Sequence, residues 1–410
     1  MKKEILINQR FYDITNFKHP GGNIINFLSN TGADASCAFQ EFHSKSNKAR
    51  HILNLLKSRD ATKEELSFAN LLCVVEPRIN NINDAIALNN DFNELRNQLV
   101  NEGFFNPSIP HVVYRITEIV MMFALACYLM LQTNFFLMVT GLFIHGITQG
   151  RCGWLMHEAG HNSLTGIITI DRTIQELFYG VGCGMSAAWW RNQHNKHHAT
   201  PQKLEHDVDL NTLPLMAFNK AVLKNDKPNN FWIKYQAFLF FPITSAFVGL
   251  GWTLFLHPRH IMRTKRYFEM VCVSMRYVAF FVLCYPVYGM FYTFLLYIAS
   301  FSIACNYIFI NFAVSHTHLP VTSPNDFLHW VVYSSIHTTN ISPNFLCNWW
   351  MAYLNFQIEH HLFPSMPQFK HKLISHRVKQ LFEKHNLTYD VRPYWSAVFD
   401  TFLNLFYVSK

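Results

Sequence analysis

The chain has 410 residues, a formal net charge of +8, 50% hydrophobic residues and only 15% charged residues. These values exclude a disordered chain, and the odd count of 9 cysteines without a C-x-x-C motif excludes a secreted disulfide scaffold. The modest positive charge favours a protein that lies against an anionic membrane face, and we expect no nucleic-acid partner.

The N-terminal region contains two histidines beside turn and helix signals. The segment FYDIT alternates like a short strand, and the HPGG motif predicts a tight turn directly after His19. The segment ADASCAFQEF predicts a short helix that ends near His43. Two imidazoles placed in this way can bind a flat cofactor from both faces, as the axial ligands of haem iron do. Their spacing alone is weak evidence, because surface histidines are common.

Apolar runs alternate with basic segments in the rest of the chain. The runs IVMMFALACYLML and FFLMVTGLFIHGIT, joined by QTN, predict a first pair of membrane helices. A second pair is predicted on either side of a break at Pro286. Lys and Arg concentrate at 191–234, at 257–266 and after Lys370, which places these regions and both termini in the cytosol. We expect four transmembrane helices, with the apolar stretch 237–256 at the interface or packed on the core.

Three histidine clusters lie beside these runs. HEAGH follows the second run, HNKHH lies in the polar middle region, and QIEHH follows the fourth run. Spacings of three and four residues place each set on one helix face, so three faces can surround a common centre. Neutral imidazole suits iron, zinc, copper or nickel, and more ligands than one tetrahedral shell needs indicate two metal ions. The histidines concerned are His157, His161, His194, His197, His198, His360 and His361.

Other interpretations of these patterns exist. HEAGH also fits the H-E-x-x-H motif of zinc proteases, with Glu158 as general base. That reading leaves the other two clusters without a role, and a hydrolase needs no electrons. The apolar runs can alternatively form a large buried core without a membrane, and the histidines can be ordinary core or solvated residues. Three clusters at the ends of apolar helices favour metal binding.

Two family resemblances cover most of the chain. Residues 11–46, with YDIT, HPGG, GADAS and F-x-x-x-H-S, resemble cytochrome b5. Residues from about 110 to 375, with WWRNQHNKHHATPQKLEHDVDLNTLP and NWWMAYLNFQIEHHLFPSMPQ, resemble membrane fatty-acid desaturases, and the fusion points to the front-end branch. The implied fold is a small α+β haem domain at 1–75, a linker or amphipathic segment at 76–110, and an all-α integral membrane domain with a cytosolic helical cap at 111–410.

The resemblances also imply the cofactors and their ligands. His19 and His43 would hold haem b, and the three clusters would hold two non-haem iron ions. Gln357 replaces the first histidine of the third cluster, as in the front-end branch, and is expected near or on the metal. A further ligand is expected at the end of the fourth helix, where NFAVSHTHLP offers His316 as first choice and His318 as reserve. No catalytic residue beyond the metal ligands is implied.

Several neighbouring residues have open roles. Acidic residues beside the clusters either orient the imidazoles or are solvated, and paired tryptophans either line an acyl tunnel or anchor the chain at the interface. His145 is expected to be a satisfied core residue, and no role is assigned to His329 or His337. The acidic residues and tryptophans are Glu158, Asp207, Asp209, Glu359, Trp189, Trp190, Trp349 and Trp350.

The resemblance implies an acyl desaturase of the endoplasmic reticulum membrane. Electrons from NADH-cytochrome b5 reductase would pass through the haem to the di-iron centre. With O2, the enzyme would insert a cis double bond between the carboxyl end and an existing double bond of a fatty acyl chain, carried as acyl-CoA or phospholipid in contact with membrane lipid. This is the delta-5/delta-6 type. The alternatives are a sphingoid-base desaturase, a fatty-acyl hydroxylase on the same site, and a haem electron carrier with a membrane anchor.

Overall fold

The computed structural model describes residues 2–29, 31–74, 78–223 and 230–410. These residues form two compact units, each built from separate stretches of chain. The first unit comprises Met1–Asn106, Asn192–Asn211 and Ser315–Ala397. The second unit comprises Pro107–Arg191, Thr212–Val314 and Val398–Lys410.

Helices dominate the described chain. The α-helices are α1 Ser36–His43, α2 Asn47–Leu55, α3 Lys63–Leu72, α4 Ile82–Asn101, α5 Ile109–Met130, α6 Phe135–Gly160, α7 Ile168–Leu177, α8 Ala187–Ala199, α9 Phe231–Lys234, α10 Gln236–Pro242, α11 His257–Thr264, α12 Tyr267–Ala313, α13 Trp330–His337, α14 Phe345–Trp350, α15 Gln357–Leu362, α16 Gln368–Lys384 and α17 Tyr394–Val408. The strands are β1 Glu4–Ile7, β2 Arg10–Asp13, β3 Ser58–Asp60, β4 Asn340–Ile341 and β5 Val391–Arg392.

The N-terminal part of the first unit is a small α+β arrangement. β1 pairs with β2 and β2 pairs with β3, both antiparallel, so that Tyr12 lies opposite Ile5 and Ser58. Because side chains alternate along a strand, Tyr12 packs in the cluster of Ile5 while Phe11 packs with Leu6 on the other face. The predicted strand in FYDIT, the turn after His19 and the short helix ending at His43 are all present.

The larger core of the first unit joins distant stretches of the sequence. Residues of α4, α13, α15 and α16 form one buried apolar cluster, in which the rings of Phe92 and Phe363 stack with centroids 5.4 Å apart. β4 and β5 pair in parallel beside this core. The third histidine cluster lies on α15, so its position is fixed by a core that contains residues nearly 300 positions earlier in the chain.

The second unit is built on long apolar helices. α5 and α6 form an antiparallel hairpin, and α6 packs closely on α12. A Cβ atom at Gly150 would lie 2.1 Å from the ring of Tyr307, so only glycine permits this approach. α12 is interrupted at Gly289, which has φ 68° and ψ 172°. The predicted break at Pro286 therefore occurs three residues later, where a residue without Cβ adopts positive φ easily.

Three described helical stretches are long and apolar enough to cross a membrane. They are Ile109–Met130, Gln236–Thr264 and Tyr267–Ala313. This differs from the two predicted pairs in two respects. The helix α6 does not qualify, and the stretch expected at the interface or packed on the core does. Polar residues such as Gln149 and Arg151 lower the hydropathy of α6, and both are buried inside the second unit.

Candidate metal centre

The second and third histidine clusters meet inside the first unit. His194 and His198 lie one turn apart on α8, with their Nε2 atoms 3.0 Å from each other. The Nε2 atom of His360, on α15, lies 3.1 Å from that of His198. Sequence spacing predicted each face, and the fold brings the two faces together.

A second group of imidazoles lies beside the first. His197, His316 and His361 each offer a ring nitrogen, and these three atoms lie within 4.8 Å of one another. The amide nitrogen of Gln357 lies 2.9 Å from Nε2 of His316. His316 thus lies in the same group as a histidine of the second cluster and a histidine of the third cluster. Among the described residues, His318 belongs to no such group.

The chemistry of this donor set fits metal ions. Neighbouring imidazole nitrogens cannot all donate to each other, whereas a cation can accept a lone pair from every one of them. Burial lowers the pKa of His316 to about 3, which keeps its imidazole in the neutral form that binds a metal. Two groups of three imidazoles match two metal ions better than one.

Carboxylate and amide groups hold the imidazoles of this unit in place. Oδ2 of Asp207 lies 2.9 Å from Nδ1 of His197 and also accepts a hydrogen bond from the backbone N–H of Gln202. The side chain of Gln202 donates to the carbonyl of His316 at 2.6 Å. Asp209 lies 3.2 Å from His197, although its side chain is largely exposed. Such hydrogen bonds fix the tautomer and orientation of a metal-binding imidazole.

Glu359 holds α15, the helix of the third cluster, in place through hydrogen bonds to two neighbouring side chains. Its carboxylate accepts hydrogen bonds from Asn340 at 2.9 Å and from the Tyr389 hydroxyl at 2.5 Å. Asn340 in turn accepts a hydrogen bond from the backbone N–H of Ile358. Burial raises the pKa of Glu359 to about 7, against the opposing effect of the two hydrogen bonds. Asn340 and Tyr389 thus fix the start of α15.

Several of these supporting residues were not identified as such from the sequence. His337, which had no assigned role, accepts a hydrogen bond from Nδ1 of His316 through its backbone carbonyl at 2.8 Å. Its own ring contacts the Thr322 hydroxyl at 2.6 Å. Gln202, Asn340 and Tyr389 were also missed. Only Gln202, four residues after the second cluster, lies close enough in sequence to have been suspected.

The first histidine cluster lies on the end of α6 in the second unit. The rings of His157 and His161 are 4.9 Å apart between centroids, and the ring of Trp190 lies 5.3 Å from that of His157. Glu158 faces the buried guanidinium of Arg115 at 3.7 Å. These contacts place Trp190 beside a candidate ligand, and they direct Glu158 towards an arginine.

The two N-terminal histidines, His19 and His43, lie close to each other. The ring centroids of His19 and His43 are 6.0 Å apart. A haem bound here would take these two imidazoles as its iron ligands. Burial lowers the pKa of His43 to about 4, so its ring is neutral at physiological pH.

Four other residues singled out in the sequence have ordinary structural partners: His145, His329, Trp189 and Trp350. His145 is buried, and its Nδ1 lies 2.6 Å from Ser300, as expected of a satisfied core residue. His329 caps α13 by accepting a hydrogen bond from Val331. Trp189 packs against Trp252, and Trp350 donates a hydrogen bond to the Tyr394 hydroxyl.

Comparison with known proteins identifies the family. The fatty acid desaturase family model matches residues 133–393. The chain belongs to the fatty acid desaturase family. It is 51% identical to the acyl-lipid (8-3)-desaturase of Thraustochytrium sp over 415 residues, which is 100% of this chain and 92% of that protein. It is also 51% identical to the acyl-lipid (8-3)-desaturase of Rebecca salina, over 98% of this chain and 91% of that protein.

More distant relatives agree with this family. The chain is 27% identical to human fatty acid desaturase 3, over 97% of this chain and 88% of that protein. These similarities establish an acyl desaturase, which is an oxidoreductase, and support the front-end type. Together with the three apolar helices, they indicate a membrane protein. They oppose the zinc-protease interpretation of HEAGH and the interpretation of the membrane region as a simple anchor.

Proposed function

We propose that this protein uses O2 and two electrons to insert a cis double bond into a polyunsaturated acyl chain. The new bond would lie between the carboxyl end and an existing double bond, as in delta-5/delta-6 desaturases. The observation that carries the proposal is the buried convergence of six imidazoles in two groups of three. The relatives named acyl-lipid (8-3)-desaturases support an acyl chain esterified in a lipid over acyl-CoA.

We assign the ligands of a di-iron centre residue by residue. His194, His198 and His360 would serve one iron, and His197, His316 and His361 the other. Gln357, whose amide lies against His316, would sit at the metal in place of a histidine. His157 and His161 would complete the ligand set, an assignment that rests on the family resemblance alone.

The residues around the centre act by position. When bound, a pair of irons supplies the O2-derived oxidant that can remove two hydrogens from an unactivated chain. Asp207 keeps Nδ1 of the His197 imidazole hydrogen-bonded, which would leave its other nitrogen available to a metal ion. Asn340 and Tyr389 hold Glu359, which fixes the helix that carries His360 and His361. Burial of these imidazoles excludes bulk water from the oxidising site.

We propose that the N-terminal part of the chain holds haem b between His19 and His43. The distance between the two rings fits a cofactor held between them, and burial lowers the pKa of both imidazoles, which favours the neutral form that binds iron. Such a haem would supply electron transfer. NADH-cytochrome b5 reductase would reduce it. The protein would lie in the endoplasmic reticulum membrane with both termini in the cytosol.

Lipid analysis after expression tests the proposed reaction. A host without polyunsaturated lipids would be fed linoleate and longer polyunsaturated acids, and its lipids analysed for double-bond position and mass. We expect a product lighter by two hydrogens, with the new double bond on the carboxyl side of the existing ones, in the phospholipid fraction. A product heavier by one oxygen would identify a hydroxylase. New double bonds in sphingoid bases alone would identify a sphingoid-base desaturase.

A further inference from the structure

Two contacts join the HPGG loop to the stretch that carries the second histidine cluster, and both lie within the first unit. The side-chain amide of Asn192 donates a hydrogen bond to the backbone carbonyl of Gly21 at 3.1 Å. The ring of Phe27 packs edge-on against that of His206, with centroids 4.4 Å apart. Neither contact involves a candidate ligand of the haem or of the irons.

The Gly21–Asn192 hydrogen bond connects the two candidate cofactor sites over few covalent bonds. Gly21 is two residues from His19, and Asn192 is two residues before His194 on α8. Gly22 permits the close approach, because it has φ +75° and a Cβ there would lie 3.3 Å from the Asn192 amide nitrogen. The loop therefore reaches α8 in a conformation that suits glycine.

The Phe27–His206 contact provides a second connection. Phe27 ends the 3-10 turn Gly22–Phe27 that follows the HPGG loop. His206 directly precedes Asp207, whose carboxylate lies 2.9 Å from the imidazole of His197. Both contacts thus lead from the loop of one candidate haem ligand to the neighbourhood of a candidate iron ligand.

Other contacts anchor the opposite haem-ligand helix independently. In α1, Glu41 forms a buried ion pair with Arg96 at 2.6 Å, and it accepts a hydrogen bond from Ser365 at 3.3 Å. Lys45 donates to the carbonyl of Phe105 at 2.6 Å. Because these contacts do not depend on Asn192 or His206, removing either loop contact should leave the N-terminal part in place.

We propose that Asn192 and His206 are positioning residues that hold the HPGG loop in place for electron transfer from the haem to the di-iron centre. The inference rests on the proposed function, since it requires both cofactors. In each transfer a ferrous haem iron becomes ferric and a ferric iron of the centre becomes ferrous, with no bond made or broken. Two transfers, with NADH as the source, supply the two electrons that the reaction consumes.

The direct test measures haem reoxidation in the full-length protein. The haem is reduced without oxygen and then mixed with O2 and acyl substrate, and its absorbance is followed. Asn192→Asp keeps the side-chain size but turns carboxylate oxygens towards the Gly21 carbonyl, and it should slow reoxidation about tenfold, the order of factor carried by one hydrogen bond. Phe27→Leu should slow it less. Asn404→Asp is the matched control, because its amide donates to the Phe218 carbonyl at 2.8 Å in the second unit.

Two further readouts separate electron delivery from damage to the metal centre. When the centre is first reduced with a stoichiometric amount of dithionite and O2 is then added, the Asn192→Asp variant should form as much product in a single turnover as the wild type. Hydrogen exchange of residues 19–29 should accelerate in this variant whether or not the irons are loaded. Exchange elsewhere in the first unit should remain unchanged.

Reoxidation of the Asn192→Asp haem at the wild-type rate would overturn the inference. A slow rate that dithionite does not bypass would overturn it too, since the variant would then have damaged the centre. A wild-type protein without a haem absorbance band, or without a desaturated product, would instead refute the proposed function on which the inference rests.

Discussion

The two histidine sites of the first unit are held in different ways. In the buried cluster, imidazoles contact one another and are fixed by side chains such as Asp207 and Gln202. In the N-terminal pair, the partly exposed rings of His19 and His43 stand apart, carried by a loop and a helix end. A metal ion needs imidazoles whose orientation is fixed by hydrogen bonds to the ring nitrogen that does not bind it. A flat cofactor needs two imidazoles at a fixed distance from each other. A substitution in one site should therefore abolish binding of its own cofactor and leave the other site occupied.

The largest effect on activity is expected from substitutions in the buried histidine cluster, which should leave the N-terminal pair intact. Replacing His197 and His198 with Ala removes one imidazole from each group, so we expect no desaturated product and little non-haem iron, with the haem band unchanged. Lipid profiling, iron analysis and an absorption spectrum measure these quantities. His376→Ala, an exposed histidine on α16, is the control and should behave as wild type. Normal product from the double variant would contradict the ligand assignment.

The reciprocal variant breaks the N-terminal site alone. His43→Ala should abolish the haem absorbance band and the NADH-driven reaction while the non-haem iron stays bound. The exposed His51→Ala on α2 should keep the band. A haem band of full intensity in His43→Ala would show that this histidine is not an axial ligand.

A smaller effect is expected from Asp207, which forms a hydrogen bond with the imidazole of His197. Asp207→Asn keeps the shape of the side chain but removes the charge that holds the His197 imidazole at 2.9 Å. Loss of such a partner lowers metal affinity or activity by about 10–100-fold. Activity measured against added iron would show it. Asp60→Asn, with a side chain 87% exposed, is the matched control. Equal iron affinity in both variants would show that Asp207 does not contribute to iron binding.

The stability of the N-terminal site should depend on one buried charge pair. Glu41→Gln leaves the guanidinium of Arg96 without its partner at 2.6 Å. Breaking a buried pair costs about 3–5 kcal/mol, so haem-monitored unfolding should occur at lower urea concentration. Glu383→Gln breaks an exposed pair with Lys379 and should leave the midpoint unchanged. Equal midpoints for the two variants would mean that Glu41 adds nothing.

The smallest effect should come from the hydroxyl that supports Glu359. Tyr389→Phe removes one of two hydrogen-bond donors to this carboxylate, while Asn340 still donates to the other oxygen. We expect a roughly fivefold decrease in turnover, the size of one net hydrogen bond, with unchanged iron content. Tyr292→Phe, an exposed residue on α12, controls for the substitution. A complete loss of activity would indicate a direct catalytic role for Tyr389.

Much of the first unit could be predicted because its signals are local. The turn after His19, the helix ending at His43 and the i, i+4 faces of the clusters depend on neighbouring residues. The choice of His316 over His318 as a ligand stays a prediction, and in the structure the amide of Gln357 contacts the His316 ring. The supporting roles of His337, Asn340 and Tyr389 could not be predicted from the sequence. These residues contact His316 or Glu359, which lie in other segments of the chain.

The membrane helices were predicted less well for a physical reason. Composition distinguishes apolar from polar runs, but α6 carries Gln149 and Arg151 on surfaces that are buried by other helices. Such a helix has lower hydropathy than its length would indicate. Conversely, the stretch Gln236–Thr264 is apolar enough to cross a membrane although charge counting had placed it at the interface.

Metal analysis of the purified protein tests the central claim most directly. If the imidazoles cage two irons and His19 and His43 hold a haem, each chain should contain two non-haem iron ions and one haem. The double substitution of His197 and His198 should remove only the non-haem iron. Iron present in haem alone, or stoichiometric zinc in the histidine cluster of an active protein, would contradict the account.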